Sequence, residues 1–332
     1  MRKVNIWKAI LFLGVTTMSN ANSAETPLKI RSLFDINAAF CSIKTNNVTG
    51  IENRRSAAFS GGFGTASTNS MLMLENGEND ITIEIGALNW FPKKNQDKDR
   101  RGEFKPDAYC KMELTLFRGE KNTVLSRIDV GINEEGIPYA KNDAKTITVK
   151  KVLAPQVEKG HLPEQYFTEG YYPAEMELYQ FTQKVSLKGL PEWKWTKSQP
   201  FTSTPEQILA LRQAYVNLWR LFAAKNNAGL KAALNESLKS WSITTGESME
   251  DIYNDYNFVE NFEKPGFQMA QIDWSDFQVE VMNKGRMVRF TNKSRPDYSP
   301  LSYYVDKDDG SKRFVFFSPI FSLVDGKYIP VI

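Results

Sequence analysis

The sequence predicts an all-β N-terminal sandwich followed by an α+β C-terminal domain in which three helices lie on a curled antiparallel sheet. Three observations predict it. Apolar and polar residues alternate in short runs over residues 27–185, with Gly and Asn between them, as in strands with one face buried. At Thr204 the apolar spacing changes to steps of three and four, the period of a helix. From Phe277 to the end the alternation returns.

Residues 1–24 precede both domains and read as a secretory signal peptide. Arg2, Lys3 and Lys8 make a positive start, and Ile10–Val15 is a short apolar run. Small residues at Ala21 and Ala24 suit peptidase cleavage. The run is far shorter than the roughly 20 residues that cross a bilayer. The expected address is therefore the Gram-negative periplasm, with a chain that is not inserted in the membrane. The full chain carries 42 Lys and Arg against 39 Asp and Glu, and all three excess cations lie in the signal. A neutral remainder argues against nucleic acid as a partner, because that binding rests on a basic surface. Removing 24 of 332 residues leaves 308, enough for two cores, and 21 Phe supply apolar mass.

Lys29–Arg31 through Phe40–Ile43 open the first domain as strands, followed by Ile81–Ile85, Met112–Leu116, Ile128–Ile132 and Thr146–Val149. Asn133–Gly136 reads as the turn joining the last two. Cys41 and Cys110 each lie beside a strand. In an oxidising compartment such a pair reads as one disulfide stapling the sheets, worth about 4 kcal/mol in the chain-entropy model; two buried free thiols are the alternative. The mixed-charge stretch from Pro92 to Lys105 reads as a solvated hairpin tip. Gly61-Gly62-Phe63-Gly64 lacks the Lys and Ser/Thr of a phosphate loop and reads as a flexible loop. Residues 186–203 form a linker whose Trp193 and Trp195 are expected to pack against a neighbouring domain.

In the second domain, Thr204, Pro205 and Gln207 form a helix start of capping-box type. Ile208, Leu211, Tyr215, Leu218 and Phe222 then mark one apolar face. A second helix carries Leu230, Leu234, Leu238 and Trp241 to Gly246, and a third runs from Ser248 to about Asn257. Five strands follow, with hairpin turns at Lys284-Gly285 and Asp309-Gly310. The opening helix with Trp219, Phe222 and Lys225, and the ending from Phe317-Ser318-Pro319 to Val324-Asp325-Gly326-Lys327-Tyr328, resemble the cone-shaped fold of the nuclear-transport-factor-two and SnoaL-like superfamily over residues 204–332. The resemblance implies a cone whose acids and tyrosines could serve a ligand or a reaction. The candidate pocket residues are Asp251, Tyr253 and Asp255. Fold alone does not carry function, since that superfamily holds enzymes and non-enzymatic modules.

No catalytic constellation stands out, and no cofactor or metal is expected. The one histidine, His161, lies in a loop-like context without a serine motif, and no Cys-x-x-Cys is present. Tyr166, Phe167, Tyr171, Tyr172, Tyr179 and Phe181 crowd one segment with Glu169, Glu175 and Glu177, a composition suited to a protein-binding surface. Tyr166, Glu169, Tyr171 and Tyr172 are its candidate contacts; packing between the domains is the competing reading. The function expected is that of an exported, non-catalytic protein-binding protein. Its partner would be a secreted toxin, neutralised as an immunity protein does, or an envelope protein. A periplasmic enzyme or small-ligand carrier using the cone, and an envelope structural or adhesion factor, are the alternatives.

Overall fold

The structure is a computed structural model that describes residues 28–91, 98–142, 145–156 and 172–332. The signal segment, His161, Tyr166, Glu169, Tyr171 and part of the 92–105 stretch lie outside the described residues. Among those described, strands predominate in several antiparallel sheets, accompanied by six α-helices.

The N-terminal half contains β1 (Lys29–Asn37), β2 (Ala39–Thr45), β3 (Val48–Glu52), α1 (Arg54–Phe59), β4 (Gly64–Thr68), β5 (Gly77–Ala87), β6 (Tyr109–Arg118), β7 (Lys121–Ile132), β8 (Pro138–Ala140), β9 (Ile147–Leu153) and β10 (Glu177–Leu187). They form two five-stranded sheets, ordered β4-β1-β6-β7-β8 and β3-β2-β5-β10-β9. Strict alternation along β1 sends Ile30, Ser32, Phe34 and Ile36 inward. They meet Met112, Leu114, Ile128 and Val130 of their own sheet and Ile43, Ile81, Ile83 and Ile85 of the other in one core. The turn at Asn133–Gly136 is present, but it leads into β8 rather than directly into the next long strand. α1, β4 and β10 were not foreseen as individual elements.

The expected Cys41–Cys110 disulfide is not formed. Both residues are buried free thiols, with Cys41 in side-chain hydrogen-bonding contact with Cys110 across the two sheets. The fold brings the sulfurs together by packing alone, and a covalent link would additionally require an oxidant. Burial, then the contact with Cys110, pushes the Cys41 thiol well above its usual range.

Residues 186–203 are stitched to both halves. The indole of Trp193 donates to Leu74 O at 2.9 Å and that of Trp195 to Leu72 O at 3.1 Å. On the other side, Gln199 N donates to Leu323 O and Phe201 N to Gly285 O.

The C-terminal half contains α2 (Pro205–Ala223), α3 (Asn227–Ala233), α4 (Asn235–Thr245), α5 (Met249–Asp255), α6 (Phe258–Glu263), β11 (Gln268–Met269), β12 (Phe277–Met282), β13 (Met287–Asn292), β14 (Leu301–Asp306), β15 (Lys312–Phe317), β16 (Phe321–Val324) and β17 (Lys327–Pro330). Thr204 caps α2 by accepting from Gln207 N, while the Gln207 side chain reaches back to Thr202 N at 2.7 Å. Five helices replace the three expected. The second one breaks at Leu234, and α6 follows a left-handed Asn257. The strands divide between two sheets, β11-β14-β15 and β12-β13-β16-β17, instead of one curled sheet. Leu211, Tyr215, Leu218 and Phe222 of α2 pack with Phe258, Phe262, Phe290, Tyr303 and Phe321 in a second, aromatic core.

The two halves are joined through buried side chains. Met282, Met287, Ile320 and Val331 belong to the N-terminal core, and Asn283 N donates to Asn46 O at 3.0 Å. Arg286 grips the Glu75 carboxylate with two nitrogens and lies over the Trp195 ring at 5.1 Å. That pairing holds the Glu75 carboxyl below the usual range.

Candidate functional site

The large apolar side chains that the fold leaves exposed are spread over both halves, Leu153 and Leu209 among them, and two are phenylalanines four residues apart at the end of α1, Phe59 and Phe63. Asn53, just before the helix, does not cap it. Instead its side chain accepts from Cys41 N at 2.7 Å and donates to Ala39 O at 2.9 Å, pinning the helix start to β2. At the other end, the amides of Ser60 and Gly62 both donate to Ser56 O, and Ser56 Oγ donates to Phe63 O.

Gly61 and Gly62 take positive φ, which residues with a side chain adopt at a cost. Gly62 additionally lies so close to β2 that a Cβ would stand 2.6 Å from Ala39 O. The sequence reading of this loop as merely flexible therefore misses its role. It is tied to the sheet, and it holds Phe59 and Phe63 outward with 60% and 54% of their surface exposed. Burying each ring would be favourable by about 2 kcal/mol.

Beneath the loop lies a small separate core of Phe40, Ala57, Ala58, Phe91, Ala154, Met176 and Leu178, flanked by half-buried Leu88, Trp90 and Tyr172. Tyr172 packs edge-on against Phe40 at 5.6 Å and beneath the Arg54 guanidinium at 4.5 Å. Its hydroxyl donates to Glu52 at 3.1 Å, and Arg54 Nε reaches both Glu52 oxygens at 2.8 and 2.9 Å. Arg54 Nη2 also bonds Asp297, between β13 and β14, at 3.2 Å.

These charges sit in a poorly solvated place. Burial lifts the Glu52 carboxyl above its usual range even though Arg54 and Tyr172 pull it down. Burial, with Glu52 next to it, raises the Tyr172 phenol well above its usual value. For Arg54 burial acts to lower the pKa, and Glu52, Tyr172 and Asp297 more than offset it. The guanidinium and the Tyr172 hydroxyl both hold the carboxylate, and through Asp297 the cluster ties the start of α1 to the C-terminal half. Of the predicted partner contacts, Tyr172 is the one described, and its ring is occupied by these internal contacts. Tyr166, Glu169 and Tyr171 lie outside the described residues.

The C-terminal pocket candidates are not brought together. Asp251 is exposed and serves the start of α5, where it exchanges hydrogen bonds with Ser248 at 2.6 and 3.1 Å. Asp255 is exposed as well. Tyr253 is buried, bonded to Asn227 Oδ1 at 3.0 Å, and burial pushes its phenol up to about 12. It borders a cavity of about 300 Å³ on the α5–α6 surface that neither aspartate lines. The space between α2 and the sheets is filled with rings, among them Phe222 against Phe258 at 4.8 Å and Tyr215 against Phe321 at 4.7 Å. Among the described residues, no three His, Cys, Asp or Glu side chains cluster as metal ligands, and no helix is long and apolar enough to cross a membrane.

No family model, curated protein or solved structure matches this chain.

Sequence reasoning missed Phe59, Phe63, Glu52 and Arg54. A phenylalanine bracketed by glycines in Gly61-Gly62-Phe63-Gly64 was the usable signal for the loop. Nothing local marks Arg54, whose partner Asp297 is 243 residues away.

Proposed function

We infer that this is an exported protein that binds another protein through the α1 end of its N-terminal sheets. The observation that carries the reading is a pair of exposed phenylalanines, Phe59 at the end of α1 and Phe63 on the loop tied to β2, beside a core that includes Phe40 and Tyr172. A preformed loop binds with less ordering cost than a loose one, which favours a folded partner. The most concrete partner is a toxin delivered into the same compartment, which this chain would neutralise as an immunity protein; an envelope protein is the other.

In this reading residues 1–24 direct export, and the N-terminal half is a β-sandwich presenting the binding end. Residues 204–332 form a unit resembling the cone-shaped superfamily, with the cone closed by aromatic side chains and hence a scaffold.

The test is co-expression with the product of the adjacent gene, together with a pull-down from the envelope fraction. Wild-type chain should co-purify with a defined partner. The F59S/F63S variant should fold with an unchanged melting curve and lose at least about tenfold in affinity, since two buried rings at a binding interface exceed 1.4 kcal/mol. Undiminished capture by that variant would refute the assignment of the surface.

A further inference from the structure

The outer face of the β11-β14-β15 sheet carries a cavity that plays no part in the reading above. Along β14, Leu301, Tyr303 and Val305 belong to the aromatic core, while Ser302 and Tyr304 alternate to the other face. The register sets Tyr304 opposite Phe314 of β15, with ring centroids 5.0 Å apart. Tyr298, from the loop before β14, also packs against Phe314, at 4.6 Å. Three rings in contact thus line a cavity of about 370 Å³, within the range of small-molecule sites.

The remaining wall is polar. Asn292 Oδ1 accepts from the amides of Ser294 and Arg295, both at 2.9 Å, which fixes the carboxamide. Its Nδ2 protons are left with no protein acceptor among the described residues. Asp273 Oδ1 takes the Ser275 amide and hydroxyl at 2.9 and 2.7 Å, leaving Oδ2 open. The Asp276 side chain, also in the wall, makes no hydrogen bond or ion pair among the described residues.

We propose that this cavity binds a neutral saccharide, with a pyranose against the Tyr298–Phe314–Tyr304 row and its hydroxyls on Asp273, Asp276 and Asn292. The C–H groups of a pyranose carry partial positive charge and suit the negative faces of aromatic rings. A sugar hydroxyl can donate to a carboxylate while accepting from an amide, and the wall supplies both groups in Asp276 and Asn292. An organic cation fits less well. The rings touch one another instead of enclosing a gap, and the Arg295 guanidinium already covers Tyr298 at 4.4 Å, adding positive charge beside the wall.

Saturation-transfer NMR and calorimetry on the full chain test this, with chitotriose, cellotriose and maltotriose as probes and choline and spermidine as cationic controls. At least one trisaccharide should bind saturably. Y304A and F314A should each weaken it about tenfold, and D276N, which alters only the carboxylate, should weaken it severalfold without changing the melting curve. Binding should be unaffected in F59S/F63S, which separates this site from the protein-binding surface. The proposal is overturned if no trisaccharide binds up to about 10 mM, the weak end of specific recognition. It is equally overturned if binding survives both ring removals and D276N, or if only the cations bind.

Discussion

Replacing Arg54 with alanine should destabilise the protein by about 3 kcal/mol near neutral pH, and by much less in acid. Arg54 is 8% exposed and supplies Glu52 with two hydrogen bonds, Tyr172 with a cation over its ring and Asp297 with an ion pair. Removing one member of a buried pair costs about 3–5 kcal/mol, because the survivor stays buried without compensation. The Asp297 arm is half exposed and adds little, which places the expectation near the lower figure.

The pH dependence follows from the Glu52 carboxyl, already raised above its ordinary range by burial. An acid raised in the folded state keeps its proton where the unfolded chain has lost it. Its contribution to stability is then greatest below the unfolded pKa and declines as pH rises through the folded one. Without Arg54 the folded pKa climbs further, so the added loss develops as pH rises above the ordinary carboxylate range. Urea unfolding followed by tryptophan fluorescence at about pH 4 and about pH 7 measures both ends of that window. In the R54A background, E52Q removes the charge that would be stranded, and about half of the lost stability should return at neutral pH. The reasoning fails if R54A loses equally at both pH values, or if E52Q restores nothing.

Other perturbations test other parts of the structure. Y215F should cost about 1–3 kcal/mol in chemical unfolding, because the buried hydroxyl accepts from Phe290 N at 3.0 Å and its loss strands that amide; an unchanged midpoint would contradict the contact. G62A should lower stability by more than about 1 kcal/mol, since φ is +71° and the new Cβ meets Ala39 O, and a neutral result would mean that the loop is not held against β2. Chain produced in a reducing cytoplasm should take up no alkylating reagent when native and two equivalents in urea, read by mass, because both thiols are buried and burial raises that of Cys41; native labelling would refute the burial.

Much of the fold was legible because its causes are local. Alternation along Lys29–Asn37 and Ile81–Ile85 follows from a strand burying one face, and the Thr204-Pro205-Gln207 start satisfies helix amides within a few residues. The break at Leu234 and the short α6 were hidden because apolar spacing continues through both. The division of the C-terminal strands into two sheets is likewise a matter of partner choice between distant segments, which periodicity leaves open.

By itself the sequence determined where strands give way to helices and that Cys41 and Cys110 lie on separate strands. It also determined that the charge excess resides in the first 24 residues. Each is a property of neighbours along the chain. Tertiary structure alone decided that the two thiols face each other and that the linker tryptophans seal the core. It also decided that Asp251 and Asp255 do not line the cavity that Tyr253 borders, and that Phe59 and Phe63 remain uncovered while a clamp reaches from Arg54 to Asp297. Those outcomes depend on which distant surfaces exclude water from each other, and packing between segments far apart in sequence leaves no periodic trace within either one.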